Sequence, residues 1–164
     1  MTAPLFSGRA RRSVAALGAV SAGLLLLSAC GEKPTPLATV TVGTSSVSAE
    51  ASCHNDDGKE LSMDQVQECL TNLKNPKTVE YARGDTLRLG VEPEIVENGK
   101  RWSAVLDGQP ITEPSSNTYR SFPGADVFAT GGQGEAPSSK KLAFLQIDEA
   151  GKPLAVWSFN LKLK

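Results

Sequence analysis

Leu27-Ser28-Ala29-Cys30 is a run of residues whose types and order imply a definite reaction. An aliphatic residue, two small residues and a cysteine close an apolar leader, which is the lipobox pattern. The cysteine thiol takes a diacylglycerol group from membrane lipid. A peptidase then cuts in front of the modified cysteine, and its narrow pocket explains the small side chains at Ser28 and Ala29. Ahead of the motif, Arg9, Arg11 and Arg12 make a positive segment, and Val14 to Leu27 is apolar except for Gly and Ser. That stretch falls short of the roughly 20 residues a comfortable spanning helix needs. Residues 1–29 therefore read as a signal peptide, cleaved between Ala29 and Cys30. Arg11-Arg12 also forms a loose twin-arginine pattern that Ser13-Val14-Ala15 continues poorly, so the export route stays open. Each lipid CH₂ contributes about 0.8 kcal/mol on burial, so two acyl chains on Cys30 hold a protein firmly where one is marginal.

The other two cysteines, Cys53 and Cys69, are left as a pair once Cys30 is lipidated. Outside the cytosol a disulfide between them persists. Its short loop makes it worth about 3 kcal/mol in the chain-entropy model. Two free thiols are the alternative. His54 is the single histidine, so every Ser-His-Asp or Cys-His scheme would rest on one residue in a polar turn. There is no Gly-x-Ser-x-Gly elbow, and no catalytic residue is assigned. Gly84 to Val91 resembles the opening strand of cupredoxins, but a blue-copper centre needs two histidines, and a structural zinc site fails for the same shortage. Asn55-Asp56-Asp57-Gly58 faintly resembles a calcium loop. Aligning Gly58 with that loop's required glycine puts Cys53 where its first aspartate belongs. No metal and no cofactor is expected.

Composition narrows the partners. The whole chain has 17 Lys and Arg against 18 Asp and Glu. The leader carries three of the arginines and no acid, so the mature chain holds 14 basic against 18 acidic residues, a net −4. Nucleic acid is a poor partner for such a surface. No polybasic run exists to grip anionic lipid, which leaves the membrane contact to the diacylglyceryl group on Cys30. The mature chain has the length of one domain, and a monomer is expected.

The elements that must carry these residues are mostly strands. Residues 30–36 are the lipidated cysteine and an extended tether containing Pro34 and Pro36, and 37–164 is the single folded domain. Thr39 to Val42 is a strand. Val47, Ala49, Ala51 and Cys53 alternate with polar residues, the two-residue period of a second strand. His54 to Lys59 is a turn. Ser62 and Gln65 have capping-box spacing, and Met63, Val66, Leu70 and Leu73 recur at helical intervals with Cys69 beside them. This predicts one inserted helix over about 62–74, ended by Asn75-Pro76, with Cys69 able to face Cys53. Further strands are expected at 78–81, 86–91, 102–106, 119–122, 125–128, 142–147 and from 154 to the end. A helical turn at 93–99 closes on Asn98-Gly99. Asp107-Gly108 signals a tight hairpin, and Pro110 marks the returning strand as an edge. Residues 130–140 read as a Gly/Ser/Pro loop. Many short strands between regular turns predict a mainly β fold: an immunoglobulin-like or related β-sandwich with one helix, preceded by the signal peptide. Tyr119, Arg120 and Phe122 are the candidate binding patch, because aromatic and arginine side chains concentrate at binding hot spots. Trp102 and Trp157 are expected as core anchors.

The chain resembles an uncharacterised family of actinobacterial lipoproteins built on a domain of unknown function. The resemblance rests on the lipobox at Cys30 and on Pro36-Leu37-Ala38-Thr39-Val40-Thr41-Val42, Glu50-Ala51-Ser52-Cys53, Gly84-Asp85-Thr86-Leu87-Arg88-Leu89-Gly90-Val91, Tyr119-Arg120-Ser121-Phe122-Pro123 and Val156-Trp157-Ser158-Phe159. It implies export, lipid anchoring and a small β-rich domain. It implies no activity, and it carries over Cys30 and the Cys53–Cys69 pair alone. The expectation is a non-catalytic binding or accessory module on the extracytoplasmic face of the cell membrane, taking an envelope protein or cell-wall ligand. The alternative is an envelope-acting hydrolase working through acidic residues, since any two carboxylates can meet in space.

Overall fold

Val40 and Val42 on one side of a short strand, and Thr39 and Thr41 on the other, begin the architecture in the computed structural model, which describes residues 34–72, 76–124, 127–129 and 137–164. The leader, the cleavage site and Cys30 lie outside the described residues. Strand β1 (Ala38–Val42) turns at Gly43, φ +56°, into β2 (Ser45–Ala49). β1 also pairs antiparallel with β5 (Leu87–Val91), which pairs with β8 (Tyr119–Phe122). The first sheet therefore has four strands in the order β2-β1-β5-β8. Along β1 and β5 every second residue is buried, so Ala38, Val40, Val42, Leu87, Leu89 and Val91 face the core.

The second sheet is larger and is organised around β10 (Pro153–Leu163). β9 (Ser139–Ile147) lies antiparallel to it and next to β6 (Arg101–Leu106). β6 turns through Asp107 and Gly108 into β7 (Gln109–Pro110). Both turn residues have positive φ, +48° and +81°, as the tight hairpin turn requires. β7 is the sheet edge, where Pro110 needs no donor. The other side of β10 takes two strands in succession: β3 (Cys53–His54), antiparallel, and β4 (Lys77–Tyr81), parallel. The expected turn at 93–99 is a 3₁₀ turn over Pro93–Ile95, followed by Asn98 and Gly99 at φ +56° and +76°.

The two sheets share one apolar core, so the fold is the expected β-sandwich. Trp157, Phe159 and Leu161 of β10, Leu142 and Phe144 of β9, and Trp102 and Ala104 of β6 meet Val40, Leu87 and Leu89 from the first sheet. Both tryptophans are fully buried and each finds an acceptor for its indole N–H. Trp102 donates to the Asn117 carbonyl at 2.7 Å and Trp157 to the Pro36 carbonyl at 2.8 Å. Gln146 faces the same interior and donates to the Ile95 carbonyl at 2.6 Å. A buried polar group so paired escapes its desolvation penalty.

A second, smaller cluster covers the outer side of the six-stranded sheet. Helix α1 (Met63–Thr71) lays Val66 and Cys69 over Ala143 and Val156. Its N-terminus is the predicted capping box: the Ser62 hydroxyl accepts from the Gln65 backbone, and the Gln65 side chain accepts from the Ser62 backbone. Leu61, just ahead of the cap, joins Val66 in the cluster. That is the hydrophobic staple between positions N′ and N4.

Several expectations need correction. The 47–53 strand divides: β2 belongs to the first sheet and β3 to the second, with residues 50–52 crossing between them. His54 is the last residue of β3, paired with Ala155, and not part of the turn. The helix ends at Thr71 with Asn72 as its cap, shorter than the 62–74 expected, and Leu73 and Asn75 lie outside the described residues. Met63 is 72% exposed, and Leu61, just ahead of the helix, is the residue that joins the outer cluster. Val127 and Phe128 sit in a turn where a strand was expected, and Phe128 is buried against Tyr81 at a ring distance of 5.6 Å. β9 begins at Ser139, inside the expected 130–140 loop, of which 130–136 lie outside the described residues.

Phe144 is the centre of the aromatic core, stacked on Trp102 at 5.0 Å and tilted against Phe159 at 5.4 Å. Phe144→Ala is expected to lower the unfolding free energy by about 3–5 kcal/mol. Urea titration checks this, the midpoint falling at unchanged slope.

Candidate functional site

The predicted cysteine pair is formed. Cys53 and Cys69 are joined by a disulfide across 16 residues, with their α-carbons 6.2 Å apart. The bond ties β3 to the buried side of α1, as the helical position of Cys69 implied. Beside it lies a cavity of 170 Å³, bordered by Ser52, Cys53, Gln65, Glu68 and Asn72. An oxidised pair offers no thiolate nucleophile or metal ligand, and Glu68 is the one carboxylate on this border.

The 54–60 segment holds a small charged network at the surface. His54 Nε2 stands 3.7 Å from an Asp56 carboxylate oxygen. Asp57 pairs with Lys59, whose side chain holds the Asp57 carboxyl below its ordinary pKa. Lys152 pairs with Glu60, which raises the Lys152 ammonium above its usual value. A depressed carboxylate is the reverse of what a general acid needs. Among the described residues no group of three His, Cys, Asp or Glu is placed to hold a metal ion. No described helix is long and apolar enough to cross a membrane.

Strand β8 does not bring Tyr119, Arg120 and Phe122 into one patch. Alternation along a strand sends neighbours to opposite faces. Phe122 lies opposite Leu87 and packs against the core, while Arg120 lies opposite Leu89 with its guanidinium 3.4 Å from the Glu113 carbonyl. Tyr119 points the other way and is 53% exposed.

Tyr119 instead joins a set of residues that sequence reasoning left unassembled. The outward positions of the four-stranded sheet fall into two rows across the strands. One row is Ser48, Thr39, Gly90 and Tyr119; the other is Ser46, Thr41, Arg88 and Ser121. None of these eight residues is buried, and no carboxylate stands in either row. The hydroxyls are already ordered: Thr39 and Ser48 share a hydrogen bond of 2.8 Å, and Thr41 and Ser46 one of 2.9 Å. A hydroxyl both donates and accepts, so each pair keeps hydrogen-bonding capacity toward a ligand. Arg88 donates one guanidinium N–H to the Gly43 carbonyl at 3.3 Å, which fixes it above the sheet. The period-two pattern of β1, β2, β5 and β8 marks each of these residues as outward. Their strand order, which places them side by side, is not written in the pattern.

No protein-family model and no curated protein matches this chain. Among solved structures, the chain is similar to fibronectin(III)-like modules of CbhA from Clostridium thermocellum, at 10% sequence identity, over 56% of this chain and 92% of the other, with a TM-score of 0.38. The protein is a two-sheet β-sandwich with one cystine-pinned helix.

Alkylation of the native protein under denaturing conditions should label neither Cys53 nor Cys69, and prior reduction should expose both. Two labels without reductant would contradict the bond.

Proposed function

We propose that this protein is a lipid-anchored, extracytoplasmic binding module that displays an open sheet face to the cell envelope. Its anchor is the diacylglyceryl group on Cys30, placed by Leu27-Ser28-Ala29-Cys30 at the end of an apolar leader. The observation that carries the binding reading is the asymmetry of the sandwich. The six-stranded sheet has a core on one side and the helix cluster on the other, whereas among the described residues nothing covers the polar outer face of the four-stranded sheet, which carries an exposed tyrosine. Rigid strands hold that face without loop motion, which limits the entropy lost on binding.

The length of chain between Cys30 and the sandwich fits this reading. Among the described residues, the Thr35 hydroxyl accepts from the Ala51 backbone at 2.7 Å, and the Pro36 carbonyl accepts from Trp157. At about 3.3–3.6 Å per extended residue, the tether from Cys30 to Thr35 reaches less than about 20 Å. Such a module works within the envelope layer next to the membrane, and a disulfide is stable there.

Cys30→Ala is expected to move the protein from the membrane fraction to the soluble or secreted fraction and to remove the acyl mass from its N-terminus. Fractionation with intact-mass analysis checks this. A variant that stays membrane-bound with unchanged mass contradicts the anchor.

A further inference from the structure

Gly90 occupies the middle of β5, where a glycine weakens a strand by leaving backbone entropy uncompensated and nothing to pack. A glycine in such a place ordinarily marks a bulge, a positive φ, a backbone crowded from within or the close approach of a ligand. The first three do not apply here. The β1–β5 and β5–β8 ladders run through Gly90 in unbroken register. Gly90 is absent from the positive-φ residues. A Cβ built on it would meet the Thr118 carbonyl at 3.8 Å, an ordinary contact. The fold leaves room for a side chain at 90, and the position is beside Tyr119 in the outward row.

From this we infer that the outer face of the four-stranded sheet binds an extended polysaccharide carrying carboxylates. The inference rests on the binding-module reading and names its ligand class. Three features select the ligand. Tyr119, exposed and set next to a glycine, offers an aromatic plane for the apolar face of a sugar ring. The Thr39–Ser48 and Thr41–Ser46 pairs supply the two-way hydrogen bonding that sugar hydroxyls need. Arg88 is the one charged side chain in the two rows, and its planar fork suits a carboxylate. The four strands span about 14 Å from β2 to β8, a platform for a chain laid across the strands. An acidic peptide motif is recognised by a cluster of arginines, and these rows hold a single arginine among short hydroxyls and one ring.

The test uses the mature chain from Cys30 on, lipidated and in detergent micelles, titrated with polygalacturonate, with neutral dextran and with poly-glutamate. Polygalacturonate is expected to bind, weakening with salt, and dextran to bind at least tenfold more weakly. Tyr119→Ala and Gly90→Val are each expected to weaken polygalacturonate binding about tenfold, Tyr119→Ala by removing the platform and Gly90→Val by filling the approach. Arg88→Gln is expected to erase the preference over dextran. All three variants should keep the wild-type melting temperature within a few degrees, and Met63→Ala, exposed elsewhere, should bind as wild type. Equal affinity of wild type and Gly90→Val for polygalacturonate overturns the inference. Binding to poly-glutamate in place of polygalacturonate overturns the glycan assignment and leaves the module reading standing. No binding to any of the three polymers removes the inference, and loss of the Cys30 anchor is read separately by fractionation.

Discussion

Hydrogen bonds to β1 end at Ala49, and bonds to β10 begin at Ser52, whose backbone N–H donates to the Val156 carbonyl at 2.8 Å. Two residues carry the chain from one sheet to the other, and the layout of the molecule follows from that crossing. Ser52 fixes the landing point twice more, donating its hydroxyl to Val156 at 2.9 Å and meeting the Ser158 hydroxyl at 2.8 Å. Facing sheets have opposite inward directions. A strand that changes sheets without changing phase therefore turns its inward side outward. Val47, Ala49 and Ala51 pack against the main core, and Cys53, next in the same alternation, joins the outer cluster. The disulfide is consequently built outside the sandwich and pins a helix there, unlike a bond between the two sheets.

The energetic consequence is a division of labour. The main core holds the large aromatic residues, and burial of each contributes a few kcal/mol. The outer cluster is small, and α1 has nine residues, too few for a helix to stand alone in water. The helix depends on Val66, Leu61 and the covalent bond at Cys69. It covers the six-stranded sheet, and among the described residues the four-stranded sheet has no such cover. The polar rows of that sheet are where the fold has rigidity and solvent access together.

Much of the architecture is legible in the residues. The strand periods at β1, β5 and β10, the Asp107-Gly108 turn, the Pro110 edge and the Ser62 capping box all follow from local chemistry that tertiary structure does not override. The Cys53–Cys69 pair follows from an odd cysteine count with one thiol assigned elsewhere. What stayed hidden depends on which sheet a residue enters. Alternation runs unbroken from Val47 to Cys53, so nothing local marks the crossing. Helical spacing puts Met63 on the apolar side of α1, yet Met63 is exposed and Leu61, at the staple position ahead of the cap, joins the outer cluster. Tyr119 and Arg120 are adjacent on one strand and so face opposite ways, while Arg120 and Phe122, two residues apart, share the side turned from the solvent. The outward rows were invisible because Ser48, Thr39, Gly90 and Tyr119 lie on four strands whose order only folding reveals.

The central claim is that the sandwich core stands by itself and the disulfide secures only the helix laid over it. Circular dichroism of the protein under reductant at neutral pH tests it most directly. The account predicts a weaker helical signal in the far ultraviolet, with the near-ultraviolet bands of Trp102 and Trp157 preserved. Loss of the tryptophan bands together with the helix would show that the core depends on the Cys53–Cys69 bond and would contradict the account.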